Sequence, residues 1–197
     1  MSPSQPAADR RALAAAACLF LALALFGARY HWVEEAGTAE RDGYVAEAQQ
    51  LLAGHLPHDP FRPLLYPLLT AGLGVALRDP FAAARLISNL AAAALAWLAY
   101  RTGRELGTPE NGAWVGAGAM AVTAVNPNLW ILGQHVTTDM LFGALAAGIL
   151  LAGLIYLKRP APAPALAAGL LLGLAAFTRG NAIFLLPALL LAVWKAP

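Results

Sequence analysis

Residues 38–67, TAERDGYVAEAQQLLAGHLPHDPFRPLLYP, hold the side chains from which chemistry could be built. Glu40 and Asp42 stand just before Tyr44, and a carboxylate within reach of a hydroxyl can serve as its general base. Asp42 ahead of Gly43-Tyr44 has an equally plain use, as the N-cap of a helix. His55, His58 and Asp59 have a spacing that a metal could use, but they lie in a Pro-rich loop, where such residues are more commonly solvated than ligating. Farther along, Asp139 opens an apolar run that it could cap. Arg179 has apolar flanks, where its charge is costly unless it snorkels to the interface or serves a site. Cys18 is a lone cysteine in an apolar run and has no disulfide partner. No Walker loop, HExxH or GxSxG pattern occurs, so nucleotide hydrolysis, zinc proteolysis and serine hydrolysis lack support.

The elements that must position these residues belong in a membrane. With 59% hydrophobic and only 12% charged residues, and a mean hydropathy of +0.60, the chain is too apolar for an ordinary soluble domain. A net charge of +2 leaves no footprint for nucleic acid. The expected fold is all-α: a polytopic membrane helix bundle with a large first external loop bearing membrane-parallel amphipathic helices.

In chain order, residues 1–11 are polar and read as a disordered cytoplasmic tail, and 12–197 as one transmembrane module. Apolar runs long enough to be spans cover about 12–30, 81–100, 112–132, 140–157, 163–178 and 182–194. The first is too long for a signal-peptide core, and Phe26 and Ala28 make a poor cleavage site, so it reads as an uncleaved span. Residues 63–77 are apolar but short, start with Pro63 and Pro67, and are interrupted by Gly72 and Gly74. They are expected to lie at the interface as part of an external loop, 31–80. Positive charge supports this choice. It puts Arg101, Arg104, Lys158, Arg159 and Lys195 inside with the N-terminus, and leaves Asp139 as the only formal charge in the external link 133–139. Within the loop, Tyr44, Ala48, Leu51 and Leu52 fall on one helical face. The pairs Gly112/Gly116 and Gly169/Gly173 would let helices pack closely, and the five tryptophans near span ends fit interfacial belts.

Several stretches together resemble one family. ERDGYVAEAQQLLAG, PFRPLLYPLL, RLISNLAAAALAWLAYRTGREL, NPNLWILGQHVTTDMLF and GLLLGLAAFTRGNAIFLLP occur in the order found in type C membrane glycosyltransferases. These are polyprenyl-phosphate-sugar-dependent enzymes related to protein mannosyltransferases and the lipid A aminoarabinose transferase. The resemblance implies a catalytic acid before Tyr44, with Asp42 favoured and Glu40 its rival, and a second acid at Asp139. It also implies that Tyr44, Arg62, Tyr66, His135 and Arg179 are substrate-binding candidates. An inverting transfer needs a base for the acceptor hydroxyl, and cationic side chains or a divalent metal to offset the leaving phosphate.

The implied activity moves a sugar from a polyprenyl-phosphate-linked donor to an acceptor hydroxyl, on the external face of a bacterial inner membrane. The implied partners are that donor, membrane lipid and an acceptor that is a lipid, glycan or protein. Members of this family are usually longer, which raises a missing C-terminal half and, as the alternative class, a truncated or non-catalytic scaffold that keeps the fold. A small transporter would need a broken central helix with paired charges, which the sequence does not suggest.

Overall fold

The computed structural model describes residues 5–30, 43–56 and 62–195. Glu40, Asp42, His58 and Asp59 lie outside the described residues. Among those described, every regular element is helical: α1 Gln5–Tyr30, α2 Tyr44–Leu52, α3 Leu65–Leu77, α4 Pro80–Leu106, α5 Gly112–Ala124, α6 Pro127–Gln134, α7 Asp139–Lys158, α8 Pro162–Ala176, a 3-10 segment Gly180–Leu185, and α9 Leu186–Lys195. Three of them, α1, α4 and α7, are long and apolar enough to cross a membrane. Large apolar side chains face outward: Leu25, Val122, Leu166, Leu170 and Phe184 are all exposed. That surface suits lipid and would be a liability in water. The chain is a multi-pass, all-α membrane protein.

Helix α4 is the axis of the bundle, in contact with α1, α3, α5, α6 and α7. Its composition explains how one helix holds so many neighbours. Ala83, Ala84, Ala91, Ala92 and Ala96 are buried along it, and small side chains let backbones approach closely. The start of α4 is well specified. Asp79 accepts hydrogen bonds from the backbone N–H groups of Phe81 (2.9 Å) and Ala82 (3.0 Å), with Pro80 in the first turn. The closest approach is to α5, where a Cβ on Gly116 would lie 2.6 Å from the Tyr100 carbonyl and one on Gly112 2.7 Å from that of Arg104. Gly169 and Gly173 were expected to do the same, but a Cβ on either would meet nothing within 4 Å.

Three further expectations need correction. The run 112–132 is not one straight helix, because α5 and α6 meet at 58°. The cause is Asn126-Pro127. Proline has no N–H to continue the α5 ladder and drives Asn126 into extended backbone, φ −65° and ψ 119°. The break is sealed locally: Asn126 caps Asn128 N–H at 2.9 Å, and Trp130 Nε1 donates to the Ala124 carbonyl at 2.7 Å. No charged residue lies in either half. Second, helix α1 starts at Gln5, so most of the polar tail is helical, with Asp9 paired to Arg104 and accepting from the Tyr100 hydroxyl at 3.2 Å. Third, Gly72 and Gly74 do not interrupt the short apolar segment, since α3 runs through both.

Candidate functional site

The described part of the loop folds back onto the bundle through α2. Helix α2 buries Tyr44, Val45, Glu47 and Ala48, while Leu52 is exposed. The buried face is therefore displaced from the expected 44/48/51/52 stripe, and it includes an acid. Glu47 is only 5% exposed, and its Oε1 lies 3.5 Å from Arg62 Nη1. That is the outer limit of a hydrogen bond but a good ion-pair distance. The Arg62 guanidinium also stands 5.9 Å from the centre of the Tyr44 ring and crosses the backbone at Gly43, where a Cβ would meet Nη1 at 2.7 Å. Gly43 has φ +72°, a conformation that favours glycine. Periodicity offered one signal for Glu47, which sits three residues after Tyr44 and so shares its face.

Tyr66 is the keystone beneath this pair. Its ring packs edge-on against Tyr44, with centroids 5.3 Å apart. Its fully buried hydroxyl donates to the Ala84 carbonyl at 3.0 Å and lies 3.1 Å from Ser88 Oγ. Ser88, itself buried, donates to the backbone carbonyl of His135 at 2.8 Å. Tyr44, Arg62 and Tyr66 are thus brought together, and His135 joins them through its backbone carbonyl. Just beyond, Gln134 is buried and donates to Asn89 Oδ1 (3.1 Å) and to the Leu23 carbonyl (2.8 Å), tying α6 to α4 and α1.

Asp139 is the first residue of α7 and forms an ion pair with Arg179, so its carboxylate is used across the fold and not as a cap. Both side chains are partly exposed. Arg179 follows α8 in extended backbone, φ −155° and ψ 133°. One backbone hydrogen bond joins the two clusters: Leu65 N–H donates to the Phe177 carbonyl at 2.9 Å. It fixes the segment carrying Arg62 and Tyr66 beside the segment carrying Arg179. Among the described residues no three of His, Cys, Asp or Glu converge, and Asp139 is engaged by a guanidinium.

The opposite end of α4 has a different character. Arg104 pairs with Asp9, and Arg159 pairs with Glu105 at 2.8 Å while Lys158 donates to the Glu105 carbonyl. From Ser88 to Arg104 the axial separation is about 24 Å at helical rise. The polar groups therefore sort into two separate ends of an apolar bundle.

The apolar bundle thus gathers acids, guanidiniums and tyrosines at one end. Residues 61–196 match the family described as dolichyl-phosphate-mannose-protein mannosyltransferase, and the chain belongs to that family. It is accordingly a membrane glycosyltransferase in general kind. The matched region contains Arg62, Tyr66, His135, Asp139 and Arg179, whereas Glu40, Asp42, Tyr44 and Glu47 precede it. No curated protein and no solved structure matches the chain.

Proposed function

We propose that this chain transfers a sugar from a polyprenyl-phosphate-linked donor to an acceptor hydroxyl, with inversion at the anomeric carbon. The acceptor oxygen attacks that carbon as its bond to the phosphate oxygen breaks. The hydroxyl proton passes to a carboxylate, and the electron pair leaves with the lipid phosphate. Asp42 is the proposed base and Glu40 its rival. Arg62 and Arg179 offset the phosphate charge. Asp139 orients Arg179 as Glu47 orients Arg62, and Tyr44 contributes an aromatic wall. Tyr66 and the His135 backbone position these groups from below. No step is routed through a metal.

The observation that supports this reading most is that the two segments carrying the Arg62 and Arg179 guanidiniums run side by side. Each guanidinium is partly exposed and held by a carboxylate, and the Leu65–Phe177 bond keeps their segments adjacent. One of them abuts Gly43, the residue that follows Asp42 in the chain. This end is proposed to be external and the Arg104/Arg159 end cytoplasmic, in a bacterial inner membrane, in keeping with the basic residues gathered at the latter. The test is transfer from radiolabelled polyprenyl-phosphate sugars by the purified chain. Label should move to a hydroxyl acceptor with wild type and fail to move with Asp42→Asn. Transfer that survives both Asp42→Asn and Glu40→Gln would refute the assigned chemistry.

A further inference from the structure

At the end of the bundle away from the proposed catalytic groups lies a cleft of about 1490 Å³, walled by α1, α4, α5 and the α7–α8 corner. Its volume exceeds the usual range of small-molecule pockets. Its chemistry is graded along its length. The mouth carries five cations, Arg11, Arg101, Arg104, Lys158 and Arg159. They outnumber the three acids there, Asp9, Glu105 and Glu110. Farther along the helices from those charges, the walls are Leu19, Ala117, Met120, Ala121 and Ala124, with no charge among them. From Trp114 to Ala124 this apolar wall follows α5 for about 15 Å at helical rise.

The cations of the mouth are not equivalent. Asp9 neutralises Arg104, and Glu105 neutralises Arg159. Glu110 is engaged by the Thr108 hydroxyl at 2.7 Å, which lowers its pKa and keeps it a carboxylate. Arg11 and Arg101 have no carboxylate partner among the described residues. Arg101 is stacked 5.3 Å from the centre of the Trp97 ring, and its Nε is buried without a hydrogen-bond partner. Two uncompensated guanidiniums at the rim of an apolar, alanine-walled trough match an anionic headgroup carrying an acyl chain. Neither half of that ligand alone fits the gradient.

We propose that this cleft is a binding site for an anionic glycerophospholipid, with the headgroup phosphate on Arg11 and Arg101 and an acyl chain along the Ala117–Ala124 face of α5. The site is separate from the proposed transfer chemistry, at the other end of α4. A basic pocket between helices at the headgroup level is the setting in which such lipids are held against exchange with bulk lipid.

The test uses the full chain purified in detergent and exposed to phosphatidylglycerol or phosphatidylcholine, with retained lipid counted by native mass spectrometry. Phosphatidylglycerol should be retained at least about tenfold better than phosphatidylcholine, and Arg11→Gln with Arg101→Gln should remove most of that preference, since each basic residue contributes appreciably to anionic-lipid binding. Neither arginine holds an ion pair among the described residues, so the double variant should fold. Ala117→Trp, which fills the apolar trough without touching a charge, should reduce retention of both lipids. A phosphatidylglycerol with a photoreactive acyl chain should label 117–124. Equal retention of the two lipids, an unchanged double variant, or label spread over the outer surface would overturn the proposal. So would a cross-link from position 117 to a second copy of the chain, which would make the cleft a protein interface.

Discussion

Glu47 Oε1 and Arg62 Nη1, fifteen residues apart in the chain, meet at 3.5 Å on the inner side of α2. The acid is buried and the guanidinium partly exposed, so the charge that faces outward is the positive one. Removing the arginine would take this ion pair from a carboxylate with little access to water, whereas removing both charges would not leave an acid there. Arg62→Gln should therefore destabilise the protein by about 1–3 kcal/mol, discounted for the exposure of the arginine. Glu47→Gln together with Arg62→Gln should recover much of that loss. Thermal unfolding in detergent checks both, and a double variant no better than Arg62→Gln alone would show that the pair is not coupled.

Asp42→Asn should abolish transfer while leaving expression and donor binding nearly intact. The amide keeps the shape and can still cap a helix, but it cannot take the proton. Glu40→Gln is the control. If it removes activity while Asp42→Asn does not, the base is Glu40.

Asp139 and Arg179 can be separated by reversing them. Arg179→Gln should lower kcat/KM for the donor by about 100-fold if the guanidinium meets the leaving phosphate. The exchanged pair, Asp139→Arg with Arg179→Asp, should regain stability without regaining that rate. Full activity in the exchanged variant would reduce the pair to a structural clasp.

Orientation is open to labelling. In a Cys18→Ala background, a cysteine at His55 should react with an impermeant maleimide added to intact cells. A cysteine at Glu110 should react only after the membrane is permeabilised, because both positions are exposed and lie on links assigned to opposite sides. Labelling of position 110 from outside would invert the assignment.

Gly116→Ala should destabilise the bundle by about 1–3 kcal/mol, because its Cβ would press on the Tyr100 carbonyl and force α4 and α5 apart. Gly169→Ala meets nothing and should be neutral or slightly stabilising through the better helix propensity of alanine. Comparing unfolding midpoints of the two variants decides whether the α4–α5 contact is as tight as the backbone indicates.

The class of fold was legible because apolar content and run length alone imply helices in a bilayer. What stayed hidden depended on partners far away in the chain. The helix through residues 5–11 is polar by composition, and its anchor, Asp9 on Arg104, spans 95 positions. A small-residue pair licenses a close approach without saying which helix arrives, so Gly112/Gly116 found a neighbour and Gly169/Gly173 did not. An acid is read as outward by default, which kept Glu47 off the expected buried face although it stands three residues after Tyr44. The elbow at Asn126-Pro127 was written locally, but unbroken hydrophobicity on both sides reads as one span. Of the candidate site, Tyr44, Arg62, Asp139 and Arg179 could each be singled out in the sequence, while the contacts that pair Tyr44 with Arg62 and Asp139 with Arg179 could not.

The bond from Leu65 N–H to the Phe177 carbonyl is made entirely of main chain. It is therefore blind to side-chain identity. Nearly any substitution at either position leaves donor and acceptor in place, and only proline at 65, which has no N–H, deletes the link outright. The spacing between the Arg62 and Arg179 segments is thus insulated from mutational drift at the two residues that set it.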